Sequence, residues 1–158
     1  MLALYEPGDE AAWLASFRFF VELRPRYCEC DGQGHVSNVI YPAYLEFSRL
    51  QYFVTVGDPD FVPGPGRFAF QHVTAELRLR YLGACFYDEP LRIYSKLVAL
   101  GKSSATMDQV LLGNDGTIRA IARMAIVRSR DDRTEPWSSA QRAALEALEG
   151  RLPAATSA

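Results

Sequence analysis

Asp31 lies in a short segment, residues 29–40, whose residue types and spacing suit chemistry at a carbonyl group. Residues 17–23 before it alternate and predict a strand, whereas residues 41–50 after it lead into a long apolar helix. The amino terminus of a helix presents unpaired N–H groups and a partial positive charge, so it can hold an oxyanion or polarise a carbonyl. An acid a few residues upstream can then attack that carbonyl or activate a water molecule.

Residues of this region match a known pattern, which runs roughly R-Y-x-E-x-D-x-x-G-H-V-N-N-x-x-Y-x-x-Y-x-E. The matching residues are Arg26, Tyr27, Glu29, Asp31, Gly34, His35, Val36, Asn38, Tyr41, Tyr44 and Glu46. On these residues the chain resembles the hotdog-fold acyl-CoA thioesterases of the 4-hydroxybenzoyl-CoA thioesterase-like family. The departure within the motif is Ser37, where asparagine is usual. The resemblance spans about residues 17–130, and in its later part Tyr87 stands where the family usually has glycine.

The resemblance implies an α+β hotdog fold, in which an antiparallel β-sheet is wrapped around one long central helix. It implies an acyl-CoA thioesterase that hydrolyses a coenzyme A thioester to the free acid and coenzyme A, with no cofactor. Asp31 would act as the nucleophile or as the general base for water, and the helix N-terminal amide of Asn38 would polarise the carbonyl. The protein would be a homodimer or homotetramer, joined sheet edge to sheet edge with active sites at the interface.

Two other functions stay open. A thioesterase acting on acyl carrier protein thioesters is a close variant, and a non-catalytic hotdog protein that binds acyl-CoA is a different class. Retention of Asp31 argues against the pure binder, because binding alone does not need an acid there. Taken alone, Asp31 would be most simply a turn or capping aspartate. Its distance from the predicted helix start and the motif around it favour the catalytic interpretation.

Further residues are predicted to contact the substrate: Gly34, His35, Tyr41, Tyr44, Lys102 and Ser103. His35 is predicted to be structural or pocket-lining rather than proton-transferring, since no nucleophile stands at a recognisable spacing from it. Tyr41 and Tyr44 are explained about equally well as core aromatics. Lys102 and Ser103 suit the phosphates of coenzyme A, although a solvated hairpin charge explains Lys102 slightly better.

Composition bounds the class of protein. The 158 residues form one ordinary domain, and 49% apolar with 23% charged residues fits a soluble globular protein. The net charge of −2 argues against nucleic-acid binding. No apolar run approaches the length of a membrane span and no signal-peptide pattern opens the chain, so the expected location is cytoplasmic. Three cysteines without metal-ligand spacing, and only two histidines, predict reduced thiols and no metal site.

Hydrophobic periodicity divides the chain into an N-terminal appendage (1–16), a hotdog domain (17–130) and a C-terminal extension (131–158) with a short helix and a frayed tail. The appendage is predicted to hold a short helix packed by Trp13. The central helix is expected over about residues 38–56, and the C-terminal helix over 139–149 behind a capping box of Ser138 and Gln141. Strands are expected at about 17–27, 72–81, 91–100, 104–112 and 117–128.

Two details of the site follow from the same patterns. If Ser37 is the residue at the start of the helix, its hydroxyl is predicted to cap an N–H group two or three residues on. Residues 57–66, rich in proline and glycine, predict a loop. The apolar residues in and after that loop, Phe61, Val62, Phe68 and Phe70, fit several acyl groups and do not specify one.

Overall fold

The computed structural model describes residues 8–57, 72–130 and 133–155. Most of the predicted loop at residues 57–66 and the four apolar candidates around it lie outside the described residues. The helices are α1 (Glu10–Ala15), α2 (Tyr41–Thr55) and α3 (Ser139–Glu149), and a single 3-10 turn covers Tyr27–Glu29. The strands are β1 (Phe19–Leu23), β2 (His72–Tyr81), β3 (Leu91–Leu100), β4 (Ser104–Leu112), β5 (Ile118–Arg130) and β6 (Arg133–Thr134).

All strand pairs are antiparallel, and the main sheet has the order β1-β3-β4-β5-β2, with β6 paired to the end of β5. The sheet curls around α2, which packs against β1 and β3. This arrangement confirms the predicted α+β hotdog fold. The ten-residue strand β2 forms one edge of the sheet and the five-residue strand β1 forms the other.

Helix α2 buries one broad face against the sheet. Its buried residues recur at intervals of three and four along the helix, which places them on one side; they are Tyr41, Tyr44, Leu45, Ser48, Arg49, Tyr52 and Phe53. A series of hydrogen bonds between buried polar side chains also connects this face to the sheet. Ser48 Oγ lies 2.8 Å from Ser95 Oγ, and Gln109 Nε2 donates to both Ser95 Oγ and the Leu45 carbonyl at 2.9 Å. On the opposite side Phe47 and Val54 are exposed, so within one chain the sheet covers half of the helix.

Strand β2 departs from simple alternation. The pattern predicts Val73 inward and His72 outward, yet His72 is buried against Phe53 and Trp137 while Val73 is half exposed. A register shift between Thr74 and Glu76 inserts one extra residue, and a bulge of this kind reverses the side of the sheet that the following residues face. Beyond the shift the prediction is correct for Leu77 and Leu79, which pack against the core. The first strand is also shorter than predicted, since it ends at Leu23.

The two chain extensions cover the sheet. Asp9 caps α1 by accepting a hydrogen bond from the Ala12 amide, and Trp13 packs on the outer face of the sheet, away from α2. Helix α3 has the predicted bounds and the predicted capping box. Its Glu149 accepts hydrogen bonds from the Tyr52 hydroxyl at 2.6 Å and from the Leu97 amide at 3.0 Å, where β3 has a bulge. Helix α3 therefore anchors the end of α2 to β3.

Candidate functional site

Asp31 is held in a tight turn directly after the 3-10 turn. Its amide donates to the His35 carbonyl at 2.9 Å, and its carbonyl accepts from the Gly34 amide at 3.1 Å. Gly34 has a φ of +84°, a conformation that residues with a side chain rarely adopt, so glycine is needed for this turn. The side chain of Asp31 is fixed as well, because its Oδ1 accepts from the Gln33 amide at 2.8 Å. The turn therefore orients a carboxylate without burying it.

The carboxylate of Asp31 faces an imidazole and an open cavity. Asp31 Oδ2 lies 3.6 Å from His35 Nδ1, and the two side chains are 29% and 33% exposed. The cavity has a volume of about 350 Å³. Its lining combines the Asp31 turn, the chain before α2 and the connection after β2; the residues are Asp31, Gln33, His35, Val36, Asn38, Tyr41, Tyr81, Leu82, Gly83 and Ala84. Asp31, His35, Asn38 and Tyr41, all predicted as site residues, thus meet at one cavity.

Asn38 lies before the helix rather than in it. Helix α2 begins at Tyr41, three residues later than predicted, because Pro42 suits the first helical turn, where no N–H is needed. Residues 37–40 form a separate turn, closed by the Ile40 amide donating to the Ser37 carbonyl at 3.0 Å. Within the described chain the amides of Asn38 and Val39 donate no hydrogen bond. They are free donors beside the cavity.

Ser37 does not cap the helix as predicted. The residue at the start of α2 is Ile40, and no side chain accepts a hydrogen bond from the first helical amides. Ser37 instead contributes its main chain, with its amide donating to the Glu29 carbonyl at 2.9 Å and its carbonyl closing the 37–40 turn. The prediction placed Ser37 too near the helix because it assumed a helix beginning at Asn38.

Tyr41 joins the two walls of the cavity. Its hydroxyl donates to the Gly83 carbonyl and accepts from the Cys85 amide, each at 3.2 Å. The Val36 amide donates to the Cys85 carbonyl at 2.8 Å, which adds a second connection. Burial raises the pKa of the Tyr41 phenol well above its ordinary value and that of the Cys85 thiol to about 11. Both groups are therefore neutral near pH 7, and Tyr41 serves as part of the wall.

A model of a known protein family matches most of the chain. The family model of the thioesterase-like superfamily matches residues 25–145. This range begins one residue before Arg26, the first residue of the pattern around Asp31, and ends within α3. This chain belongs to the thioesterase-like superfamily.

Solved structures of other proteins share the fold of this superfamily member over most of the chain. A Thermus thermophilus thioesterase, solved in complex with coenzyme A and Zn, is 28% identical with a TM-score of 0.76, covering 86% of this chain and 97% of that one. A predicted thioesterase from Bacillus stearothermophilus is 26% identical with a TM-score of 0.72, covering 82% and 95%. The uncharacterized protein YsmA of Bacillus subtilis (strain 168) is 34% identical over 95 residues, which span 60% of this chain and 61% of YsmA. The YsmA match thus covers less than two thirds of that relative.

Tyr44 and Glu29 form a buried support beneath the site of this thioesterase-like protein. Glu29 Oε2 accepts hydrogen bonds of 2.7 Å from the Tyr44 hydroxyl and from the Arg26 amide, and Oε1 accepts from the Arg26 guanidinium at 2.6 and 3.0 Å. Tyr44 was predicted to contact substrate, but its hydroxyl is directed at Glu29 and it does not line the cavity. From the sequence, Glu29 was given no role beyond its place in the motif. The spacing of three residues between Arg26 and Glu29 was the feature of the sequence that could have indicated their contact.

Glu29 makes the stability of the protein depend on pH. Burial by itself raises the pKa of a carboxyl, but the hydrogen bonds from Arg26 and Tyr44 outweigh it and hold the pKa of Glu29 below its ordinary 4.5. A carboxyl whose pKa is lower in the folded state than in the unfolded state stabilises the folded protein at pH values above its unfolded-state pKa. That stabilisation is lost as the pH falls through its folded-state pKa. We expect Glu29→Gln to lower the free energy of unfolding by about 1–3 kcal/mol at pH 7. Urea unfolding should show the gap between variant and wild type shrinking well below pH 4.5; a gap independent of pH would contradict this.

Lys102 and Ser103 lie far from the cavity within one chain. They form the connection between β3 and β4, where the Lys102 carbonyl accepts from the Trp137 amide and the Ser103 carbonyl from the Arg128 amide. Arg128 pairs with His72 at the start of β2, whereas the cavity lies beyond Tyr81 at its end. The nine residue steps between them correspond to about 30 Å along the strand. Gly34 shapes the Asp31 turn and does not line the cavity either.

Neither a metal cluster nor a membrane helix is found in the parts of the chain that the structure describes. No group of three or more His, Cys, Asp or Glu side chains there has the arrangement to hold a metal ion. None of the helices in those parts is long and apolar enough to cross a membrane.

Proposed function

We propose that this protein is an acyl-CoA thioesterase that hydrolyses a coenzyme A thioester to the free acid and coenzyme A. The observation that carries the proposal is the meeting of the Asp31 carboxylate and the free Asn38 amide at one cavity. These are the two groups that thioester hydrolysis needs, one to attack or to activate water and one to stabilise the oxyanion. Membership of the thioesterase-like superfamily supports the same reaction class.

Asp31 acts as the nucleophile or as the general base in this scheme. As nucleophile its carboxylate attacks the thioester carbon, coenzyme A leaves as the thiolate, and water then hydrolyses the resulting anhydride to the free acid and Asp31. As base it takes a proton from the water that attacks the thioester carbon, and coenzyme A again leaves as the thiolate. The Gln33 amide holds Oδ1 in place, and Oδ2 is directed toward His35. The carboxylate is thereby restricted in orientation before substrate arrives, which lowers the entropy lost on reaching the reactive geometry. His35 orients Asp31 in this proposal and does not transfer the proton.

The amide of Asn38 stabilises the developing negative charge on the thioester oxygen. Asn38 keeps this role although α2 begins at Tyr41, because the 37–40 turn leads directly into the helix. The free N–H groups of the turn therefore lie at the positive end of the helix dipole. One such donor is typically worth roughly 3 kcal/mol in the transition state. The Val39 amide is a second free donor on the same turn, within the chain that the structure describes.

Coenzyme A is the proposed carrier of the acyl group. The Thermus thermophilus relative was solved in complex with coenzyme A, which favours this carrier over acyl carrier protein. Incubating the protein with a panel of acyl-CoAs and a thiol reagent tests the proposal, with matched acyl carrier protein thioesters as the comparison. Release of free thiol from at least one acyl-CoA is the expected result. Binding of acyl-CoA with no turnover across short, long and aromatic acyl groups would favour the non-catalytic alternative.

Strand β2 is the proposed surface for assembly, which we expect to be a homodimer or a homotetramer. It is a long edge strand, and unpaired edge groups favour pairing with a second chain. Half-exposed Val73, Tyr81 and Leu82 lie along or just beyond it, and Phe47 and Val54 are exposed on α2. Light scattering at micromolar concentration should give at least twice the chain mass of 17.7 kDa. A mass of one chain would overturn this part of the proposal.

A two-fold pairing of β2 strands would also change where Lys102 and Ser103 lie relative to a cavity. Antiparallel pairing places the start of one β2 beside the end of the other, so Lys102 of the partner subunit would lie on the same side as this chain's cavity. The proposed contact with the coenzyme A phosphates therefore requires the dimer. A cytoplasmic location remains part of the proposal, since coenzyme A thioesters are its substrates.

A further inference from the structure

Tyr81 makes a contact with the 37–40 turn that the proposed mechanism has not used. It lies at the end of β2, and its hydroxyl donates to the Asn38 carbonyl at 2.9 Å. Its ring packs edge-on against Tyr41, with centroids 5.1 Å apart and an interplanar angle of 87°. Both tyrosines line the cavity, but Tyr41 is buried and Tyr81 is 46% exposed. Tyr81 is thus a side chain of the edge strand that holds the main chain of the turn.

The bond fixes one of the two peptide planes that flank Asn38. The plane before Asn38 is set within the turn, where the Ile40 amide donates to the Ser37 carbonyl. The plane after Asn38 carries its carbonyl and the Val39 N–H, which are directed oppositely in a trans peptide. Among the described residues, the Tyr81 hydroxyl is the group bonded to that carbonyl. Without it, the second plane is free to rotate, which changes the direction of the Val39 amide, and the turn that fixes the Asn38 amide opens more often.

We infer that Tyr81 is a positioning residue that orients the Asn38 and Val39 amides toward the substrate oxygen through its hydrogen bond to the Asn38 carbonyl. The inference rests on the proposed function of those amides. Tyr81 acts through the turn and does not itself touch the reacting atoms. It also links the edge strand β2 to the site, so a change at that edge reaches the 37–40 turn directly.

Tyr81→Phe tests the inference, because it removes the hydroxyl and keeps the ring against Tyr41. We expect kcat to fall about tenfold, since the donors are misdirected rather than lost, with KM changed less than about twofold. We also expect hydrogen exchange of the Ile40 amide, measured by NMR, to become about tenfold faster as the turn opens more often. The melting temperature should fall by less than about 3 °C, because the bond is exposed and joins no core residue.

Tyr87→Phe is the matched control, since its ring is 60% exposed and its hydroxyl makes no hydrogen bond within the described chain. It should leave kcat and Ile40 exchange at wild-type values. Unchanged Ile40 exchange in Tyr81→Phe would overturn the inference, and so would a loss confined to KM, which would make Tyr81 a binding residue. If the wild type hydrolyses none of the thioesters, the proposed function fails, while the exchange measurement still decides whether Tyr81 positions the turn.

Discussion

Asp31→Asn is expected to lower kcat at least ~100-fold on an acyl-CoA that the wild type hydrolyses. Asparagine has nearly the same shape and keeps an oxygen to accept the Gln33 amide, so the turn is preserved. It has no negative charge, and so it serves neither as nucleophile nor as base. The free energy of unfolding should change by less than about 1 kcal/mol, as for other surface turn substitutions. Steady-state kinetics and urea unfolding of the same preparation measure both quantities.

Asp115→Asn is the matched control for this substitution. Asp115 also accepts the amide of the residue two positions on, with its Oδ1 3.0 Å from the Thr117 amide, and it lies in the β4–β5 turn away from the cavity residues. The control variant should turn over substrate at the wild-type rate. Wild-type turnover by Asp31→Asn on a proven thioester would refute the assignment of Asp31. Equal losses in both variants would indicate a general effect of replacing turn aspartates.

Local patterns predicted the parts of the fold that depend on neighbouring residues. The capping box of Ser138 and Gln141 set the start of α3, and the strands predicted at 91–100 and 104–112 coincide with β3 and β4, because these signals act within a few residues. The bulge in β2 was missed, since it reverses sides between Thr74 and Glu76 without any glycine or proline to mark it. The late start of α2 had a marker in Pro42, which favours the first turn of a helix.

The candidate site shows the same division between local and distant residues. Asp31, His35, Asn38 and Tyr41 belong to one continuous motif, so one chain segment brings them together and the sequence pattern was enough to predict it. Tyr81 comes from a separate strand, and only the antiparallel fold sets its hydroxyl against the Asn38 carbonyl. Hydrophobic periodicity identifies Tyr81 only as an apolar position on a strand, because the pattern contains no information about which turn lies next to that strand in the fold.

A pair of charges on the outer face of the sheet, in which the carboxylate is buried and the guanidinium partly buried, gives the second large expected effect. Asp108 on β4 is 1% exposed and accepts two hydrogen bonds from Arg123 on β5, at 2.5 and 2.7 Å. Lys96 on β3 is its register partner on the other side, and its ammonium lies 4.6 Å from the centre of the Phe17 ring. Burial lowers the pKa of Lys96, and the nearby Asp108 carboxylate opposes that decrease.

Asp108→Asn is therefore expected to destabilise the protein by about 3 kcal/mol, because it removes the carboxylate charge that balances Arg123. For a chain of this length that corresponds to a fall of about 6–12 °C in melting temperature. Glu22→Gln is the matched control: its pair with Arg92, at 2.7 Å, is 58% exposed on the Glu22 side and should contribute little. Calorimetry of both variants measures the difference, and a similar small change in each would contradict the argument.

The double replacement Asp108→Leu with Arg123→Met separates the cost of an unbalanced charge from the worth of the pair. Removing both partners leaves neither charge at this position and fills similar volume with apolar atoms, so stability should return to within about 1 kcal/mol of wild type or rise above it. The cavity residues lie on other segments, so turnover of an acyl-CoA should stay at the wild-type rate. A double variant as unstable as Asp108→Asn would show that the ion pair itself stabilises the sheet. The loss in the single variant would then not be the cost of an unbalanced charge on Arg123.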